Sequence, residues 1–136
     1  MTTSATSETG KPFLALAEPQ LFTADIKGSC AFYTGELGFR VKFLYGDPPF
    51  YGQVFRDGAR LNLRHVDRPV FDRARRAKED LLSATIVLDH IEPLFLEYRA
   101  KGVVFHQALR TEPWGRRTFI VADPDGNLIL FAGPAS

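Results

Sequence analysis

Thr118-Phe-Ile-Val-Ala-Asp-Pro-Asp-Gly-Asn-Leu-Ile-Leu-Phe131 is the stretch that decides the fold. Two apolar runs, 119–122 and 128–131, flank the segment Asp123-Pro-Asp-Gly-Asn127. Pro124 has a fixed φ and no N–H to give to a ladder, so it belongs in a turn. Gly126 reaches positive φ without steric cost. The stretch predicts a β-hairpin whose flanks suit a packed sheet. The first half of the chain carries an echo of it. Asp57-Gly-Ala-Arg-Leu-Asn-Leu63 matches Asp125-Gly-Asn-Leu-Ile-Leu-Phe131 in its apolar pattern.

Working outward, each hairpin is preceded by the same order of elements. A strand over about 19–24, Asp25, a helix over about 27–37 and Gly38 lead to strands over 39–45, 51–56 and 59–66. Then a strand over 84–88, Asp89, a helix over 91–101 and Gly102 lead to a strand beginning at 103–105. Asp25 and Asp89 are offset by 64 residues and the two hairpins by 68, so the second copy holds four extra residues. Residues 109–115, with Pro113 and Trp114, are expected to hold them. The order β-α-β-β-β thus occurs twice, and a repeat of that length outranks any single motif. The predicted class is α+β, with two modules, curved mixed sheets forming a cleft, and helices outside. A flexible tail is expected over 1–12 and a single domain over 13–136. Within it, module 1 spans about 18–66, a linker 67–82 and module 2 83–133. The linker is crowded with charge, carries Pro69, and is read as solvated with one short helix over 71–79.

Composition narrows the function. A net charge of +1 over 136 residues gives no pull toward nucleic acid or a membrane surface. Cys30 stands alone, which excludes an intrachain disulfide and a cysteine metal cluster. No apolar run approaches the roughly 20 residues of a bilayer span. A cytoplasmic protein is expected. Twelve Phe and four Tyr are a heavy load for one small core, and some are expected to line a cavity.

Asp25-Ile-Lys-Gly-Ser-Cys-Ala-Phe-Tyr-Thr-Gly-Glu-Leu-Gly-Phe39 resembles the first-helix signature of the glyoxalase/bleomycin-resistance (vicinal-oxygen-chelate) superfamily. Asp123-Pro-Asp-Gly-Asn127 resembles its closing turn. The resemblance spans about 18–133 and is nearest to the bleomycin-resistance branch in Pro19-Gln-Leu-Phe-Thr-Ala-Asp25 and Asn127-Leu-Ile-Leu-Phe-Ala-Gly133. It implies paired modules, a homodimer, and clefts built from module pairs. Metal-using members place imidazole or amide and carboxylate ligands at matched strand positions. Carried over, these fall on Glu18 and Asn62 in module 1, and on Leu82 or Ser83 and Leu130 in module 2, with Gln20 in reach if the strand slips by two. Leu130 offers no donor and Asn62 only a neutral amide oxygen, so no metal or cofactor is expected. His65, His90 and His106 are read as structural. No nucleophile–base–acid spacing or phosphate loop is present, so no catalytic set is assigned.

Strand parity populates the cleft instead. With Asn62 inward, Arg60 and Arg64 follow, while Leu61 and Leu63 face the helix. The same parity assigns Phe22 and, by hairpin pairing, Phe119 and Arg117 to the cleft. Phe43 and Tyr45 share one face of their strand. The loops 47–51, with Phe50 and Tyr51, and 112–117 are placed at the mouth. Trp114 is read there either as a stacking platform or as a dimer or loop contact. Three functions compete. One is a metal-independent protein that binds and sequesters an antibiotic or other aromatic compound. The others are a lyase, isomerase or dioxygenase with an atypical site, and a dimeric interaction domain without a ligand. The first leads, with a planar neutral or anionic ligand, because Arg60 and Arg64 oppose a cationic one.

Overall fold

The computed structural model describes residues 10–135, and residues 1–9 of the expected tail lie outside them. The elements run β1 (Gln20–Thr23), α1 (Ile26–Gly35), β2 (Arg40–Tyr45), β3 (Tyr51–Arg56) and β4 (Ala59–His65) in the first module. Then α2 (Arg73–Glu79) precedes β5 (Ala84–Val87), α3 (Ile91–Ala100), β6 (Phe105–Thr111), β7 (Arg117–Ala122) and β8 (Leu128–Gly133). Two four-stranded sheets result, ordered β1-β4-β3-β2 and β5-β8-β7-β6. In each the first strand lies parallel to the last and the other pairs are antiparallel. The duplicated α+β architecture is therefore present. Residues 109–111 of the inserted region form the end of β6, whose pairing with β7 shifts register twice between Phe105 and Arg110. Extra residues cost less as bulges in a paired strand than as loop with open backbone groups.

One face of each sheet is sealed by its helix. Leu21, Val54, Leu61 and Leu63 meet Tyr33, Cys30 and Leu37 from the α1 side, and Phe119, Val121, Ile129 and Phe131 meet Tyr98 and Ile91. Phe119 stacks on Phe131 at 4.9 Å between ring centroids and meets Tyr98 edge-on at 6.0 Å. Phe119 is fully buried on this side, which corrects its assignment to the cleft. Gly38 ends the α1 turn at φ 76°, and a Cβ there would come within 2.7 Å of the Arg56 guanidinium. Glycine meets both demands.

The modules grip each other reciprocally. The hydroxyl of Tyr33 on α1 donates to Asp123 Oδ2 (2.8 Å), and Asn127 Nδ2 donates to the Phe22 carbonyl (3.1 Å). Ala24 N–H donates to Asp125 Oδ1 (2.8 Å). In the other direction the Tyr98 hydroxyl on α3 donates to the Leu37 carbonyl (2.8 Å), and Arg56 forks onto both oxygens of Glu97 (2.8 and 3.0 Å). The β7–β8 turn is organised by one carboxylate. Asp123 is buried, and its Oδ1 accepts from Asp125 N–H and Asn127 N–H while Oδ2 accepts from Tyr33 and Asn127.

The linker is not simply solvated. Asp72 caps α2 by accepting from Arg75 N–H, and the helix ends at Asp80 in the left-handed region. Arg73 Nη1 donates to the Pro124 carbonyl and His106 meets Asp80 at 2.7 Å, so α2 is fastened to module 2.

Candidate functional site

The sheet faces opposite the helices are open, and that of module 1 is rich in chemistry. Register places Tyr45, Tyr51, Arg64 and Phe22 in one row across β2, β3, β4 and β1. Phe43, Gln53, Asn62 and Gln20 form the next, and Arg40, Phe55 and Arg60 the third. Alternation explains the composition, since Leu61 and Leu63 point to the core and their neighbours to the open side. Asn62 Oδ1 accepts from Gln53 Nε2 (2.8 Å), and Tyr51 donates to Gln20 Oε1 (3.3 Å). The rings of Phe43 and Tyr51 lie 5.9 Å apart. Arg40 and Lys42 both reach the Phe55 ring, at 6.0 and 5.9 Å. Arg60 approaches Glu18 at 3.6 Å, while no carboxylate pairs with Arg40, Lys42 or Arg64 among the described residues. Tyr45 is 67% and Phe43 40% exposed. The loop residue Phe50 sets its ring edge-on to Tyr45 at 5.5 Å.

The open face of module 2 mixes aliphatic and polar residues. Thr85, Leu130, Ile120 and Gln107 form one row, and Val87, Ala132, Thr118 and Arg110 another. At its edge Glu112 is buried and accepts from the Thr118 hydroxyl (2.7 Å) and Arg110 Nε (3.1 Å). These bonds, the Thr118 one first, hold its carboxyl below the usual range.

The metal positions that the resemblance implies can be tested by register: Glu18 lies near Arg60 and Ser83 meets Arg76, and neither stands opposite Asn62 or Leu130. Gln20 stands opposite Asn62 and Thr85 opposite Leu130. Two amides, a hydroxyl and an aliphatic side chain do not fit a divalent transition metal. No cluster of three or more His, Cys, Asp or Glu side chains suited to a metal occurs among the described residues. The histidines lie elsewhere: His65 meets Asp67, His106 meets Asp80, and His90 begins α3.

Of the residues read as ligand-binding, Phe22, Phe43, Tyr45, Tyr51, Asn62 and Arg64 share the open face of the first sheet. Three others do not join them. Phe119 is core, as described. Arg117 Nη1 donates to Glu92 Oε1 (3.2 Å) at the start of α3, on the helix side. Both errors come from choosing the wrong parity for β7. The repeat itself held the correct one, because Leu61 and Leu63 correspond to Ile129 and Phe131, which pair with Val121 and Phe119. Trp114 sits 73% exposed on the 112–116 turn and lines neither hollow described next, so it does not form a cleft with Phe22 and Phe119. Gln53, Phe55, Arg40 and Lys42 went unread, although two-residue steps from Tyr51 reach Gln53 and Phe55.

Two hollows mark the junction of the modules. The larger, about 1260 Å³, lies between the β3–β4 turn at Asp57 and Ala59 and the start of α3 at His90 and Leu94. The smaller, about 320 Å³, is bordered by Gln20 and Phe22 of β1, Phe71 and Arg76 of the linker, and Ser83 and Asn127 of module 2.

Known proteins match this description. A bleomycin resistance protein of Geobacillus stearothermophilus is 29% identical over 124 residues, covering 83% of this chain and 92% of its own. The structure of a bleomycin-binding protein from bleomycin-producing Streptomyces verticillus, complexed with copper(II)-bleomycin, superposes with a TM-score of 0.69 at 27% identity. That match covers 90% of this chain and 98% of the other. A glyoxalase-related enzyme from Clostridium phytofermentans shares the fold at TM-score 0.72 and 18% identity, over 93% and 99% of the two chains. The family model described as Glyoxalase/Bleomycin resistance protein/Dioxygenase superfamily matches residues 15–131. With its paired modules and open sheet faces, the chain belongs to that superfamily.

Proposed function

We propose that this protein binds and sequesters a small planar antibiotic or related aromatic compound on the open face of its first sheet, without a metal. The observation that carries the reading is the uncovered array of Phe22, Phe43, Tyr45, Tyr51 and Phe55 interleaved with Arg40, Arg60 and Arg64. Aromatic rings offer stacking surfaces and guanidinium groups offer flat cationic ones, a combination that favours a planar ligand of neutral or negative charge. The bleomycin-binding relative supports a small-molecule role. Cationic drugs such as bleomycin itself would meet like charge here. The open face of module 2 in a second copy of the chain, with Leu130, Ile120, Val87 and Ala132, is the natural cover, so the binding form is a homodimer.

Equilibrium dialysis of a panel of planar aromatic antibiotics and bleomycin tests this. One base or ring stacked on an aromatic side chain is worth about 1–3 kcal/mol, so Tyr45→Ala or Phe43→Ala should weaken binding by about ten- to a hundredfold. The bound compound should be recovered unchanged, and light scattering should give a dimer mass. Affinity equal in both variants and the parent protein, or recovery of a converted product, would overturn the reading.

A further inference from the structure

The linker helix turns one of its cations inward. Arg73 bonds to the Pro124 carbonyl and Arg75 pairs with Glu79 on the surface. Arg76 instead lays its guanidinium over the Phe71 ring, 3.7 Å from the centroid, and donates through Nη1 to Ser83 Oγ. Ser83 in turn donates to Asn127 Oδ1 (3.2 Å). No carboxylate pairs with Arg76 among the described residues, and its Nε is buried without a partner. Burial pushes its pKa down, against an opposing pull from Asp123. A partly desolvated cation with no carboxylate in contact, Asp123 acting only beyond ion-pair distance, is costly to keep, and here it borders a hollow of about 320 Å³ walled by Phe22 and Gln20. That space accepts a single aromatic ring bearing a small polar group.

We propose that Arg76 is the anchor for a carboxylate on an aromatic ligand, whose ring lies against Phe22. The assignment rests on the open face of the first sheet being the ligand site, and it extends that site into the linker. The guanidinium fork matches a carboxylate in two parallel hydrogen bonds, which a point charge does not. Phe71 holds the guanidinium plane from one side and Ser83 holds one edge, so the donor group is oriented before the ligand arrives.

A matched pair of single-ring probes tests it: benzoate and its neutral analogue benzamide, titrated by calorimetry. The parent protein should bind the acid at least tenfold more tightly than the amide. Arg76→Met should erase that preference while leaving amide affinity within about twofold, and Arg76→Lys should keep part of it. Phe22→Ala should weaken both probes alike. Equal affinity of the parent protein for the two probes overturns the anchor and leaves the sheet-face site standing if Phe22→Ala still weakens both. A preference that survives Arg76→Met also overturns it. Should Arg76→Met fail to fold, the parent ratio and Arg76→Lys decide, an unchanged preference in Arg76→Lys counting against the fork. If neither probe binds, the anchor fails, and the antibiotic dialysis decides the sheet-face reading separately.

Discussion

Replacing Tyr33 with Phe deletes one oxygen from the contact between the modules. In the structure that hydroxyl is fully buried and donates to Asp123 Oδ2 at 2.8 Å. Burial and the neighbouring Asp123 carboxylate together hold the Tyr33 pKa well above its ordinary value, so the group stays a donor at any pH where the protein is handled. A hydrogen bond to an ionised acceptor is worth about 1.5–3 kcal/mol. Asp123 keeps three donors after the change, the two backbone N–H groups and Asn127 Nδ2, which places the loss at the lower end, about 2 kcal/mol. Urea unfolding followed by far-ultraviolet circular dichroism should show the midpoint falling with an unchanged slope, because both modules share the contact and should unfold together. Tyr98→Phe is the internal comparison. Its acceptor, the Leu37 carbonyl, also receives Arg56 Nη1 (3.0 Å), so nothing is orphaned and the loss should be about 1 kcal/mol. A Tyr33→Phe cost below about 0.5 kcal/mol, or two separate transitions, would refute the claim that Asp123 couples the modules.

Two further outcomes follow from the packing and charge. The Arg56 hydrogen bonds, which outweigh burial, lower the Glu97 pKa, so Glu97 contributes stability above the unfolded carboxyl value and loses it as pH falls through the folded one. Denaturation midpoints of the parent protein and Glu97→Gln should therefore differ at pH 7 and converge at acid pH, and a gap that widens there would contradict the ion pair. Phe119→Ala should cost about 3–5 kcal/mol because it empties a fully buried ring site, whereas Trp114→Ala on its exposed turn should change stability by no more than about 0.5 kcal/mol. Thermal melts of the two variants would expose the reverse order if Trp114 were core.

The fold was legible because it was written twice. The hairpin at 123–127, its weaker copy at 57–58 and the Asp–helix–Gly spacing at 25–38 and 89–102 fix order and duplication without reference to any contact. The open face of the first sheet was partly legible for the same reason, since alternation around Leu61 and Leu63 locates Asn62 and Arg64. Parity failed at Phe119 and Arg117, where β7 was phased by its neighbours rather than by the repeat. Arg76 was illegible for a different reason. A charged helix of about two turns is too short for a periodicity that tells which cation turns inward, and its partners Phe71, Ser83 and Asn127 are brought together only by the fold.

The junction between the modules also records how far the two halves of the duplication have parted. Alignment of α1 with α3 and of the two sheet registers puts Tyr33 at the repeat position of Tyr98, and Asp123 at that of Arg56. Two second modules brought together in this geometry would set Glu97 against the buried Asp123, carboxylate to carboxylate. Two first modules would set Arg56 against Phe32 in place of Glu97, a cation without its carboxylate, and Ala59 in place of Asn127 would leave the β1 carbonyl without its amide donor. Each half is thus matched to the other and mismatched to itself, a specificity achieved by repulsion and unmet bonds as much as by attraction. Exchange of halves between two chains preserves every one of these contacts, while self-pairing of like halves loses them.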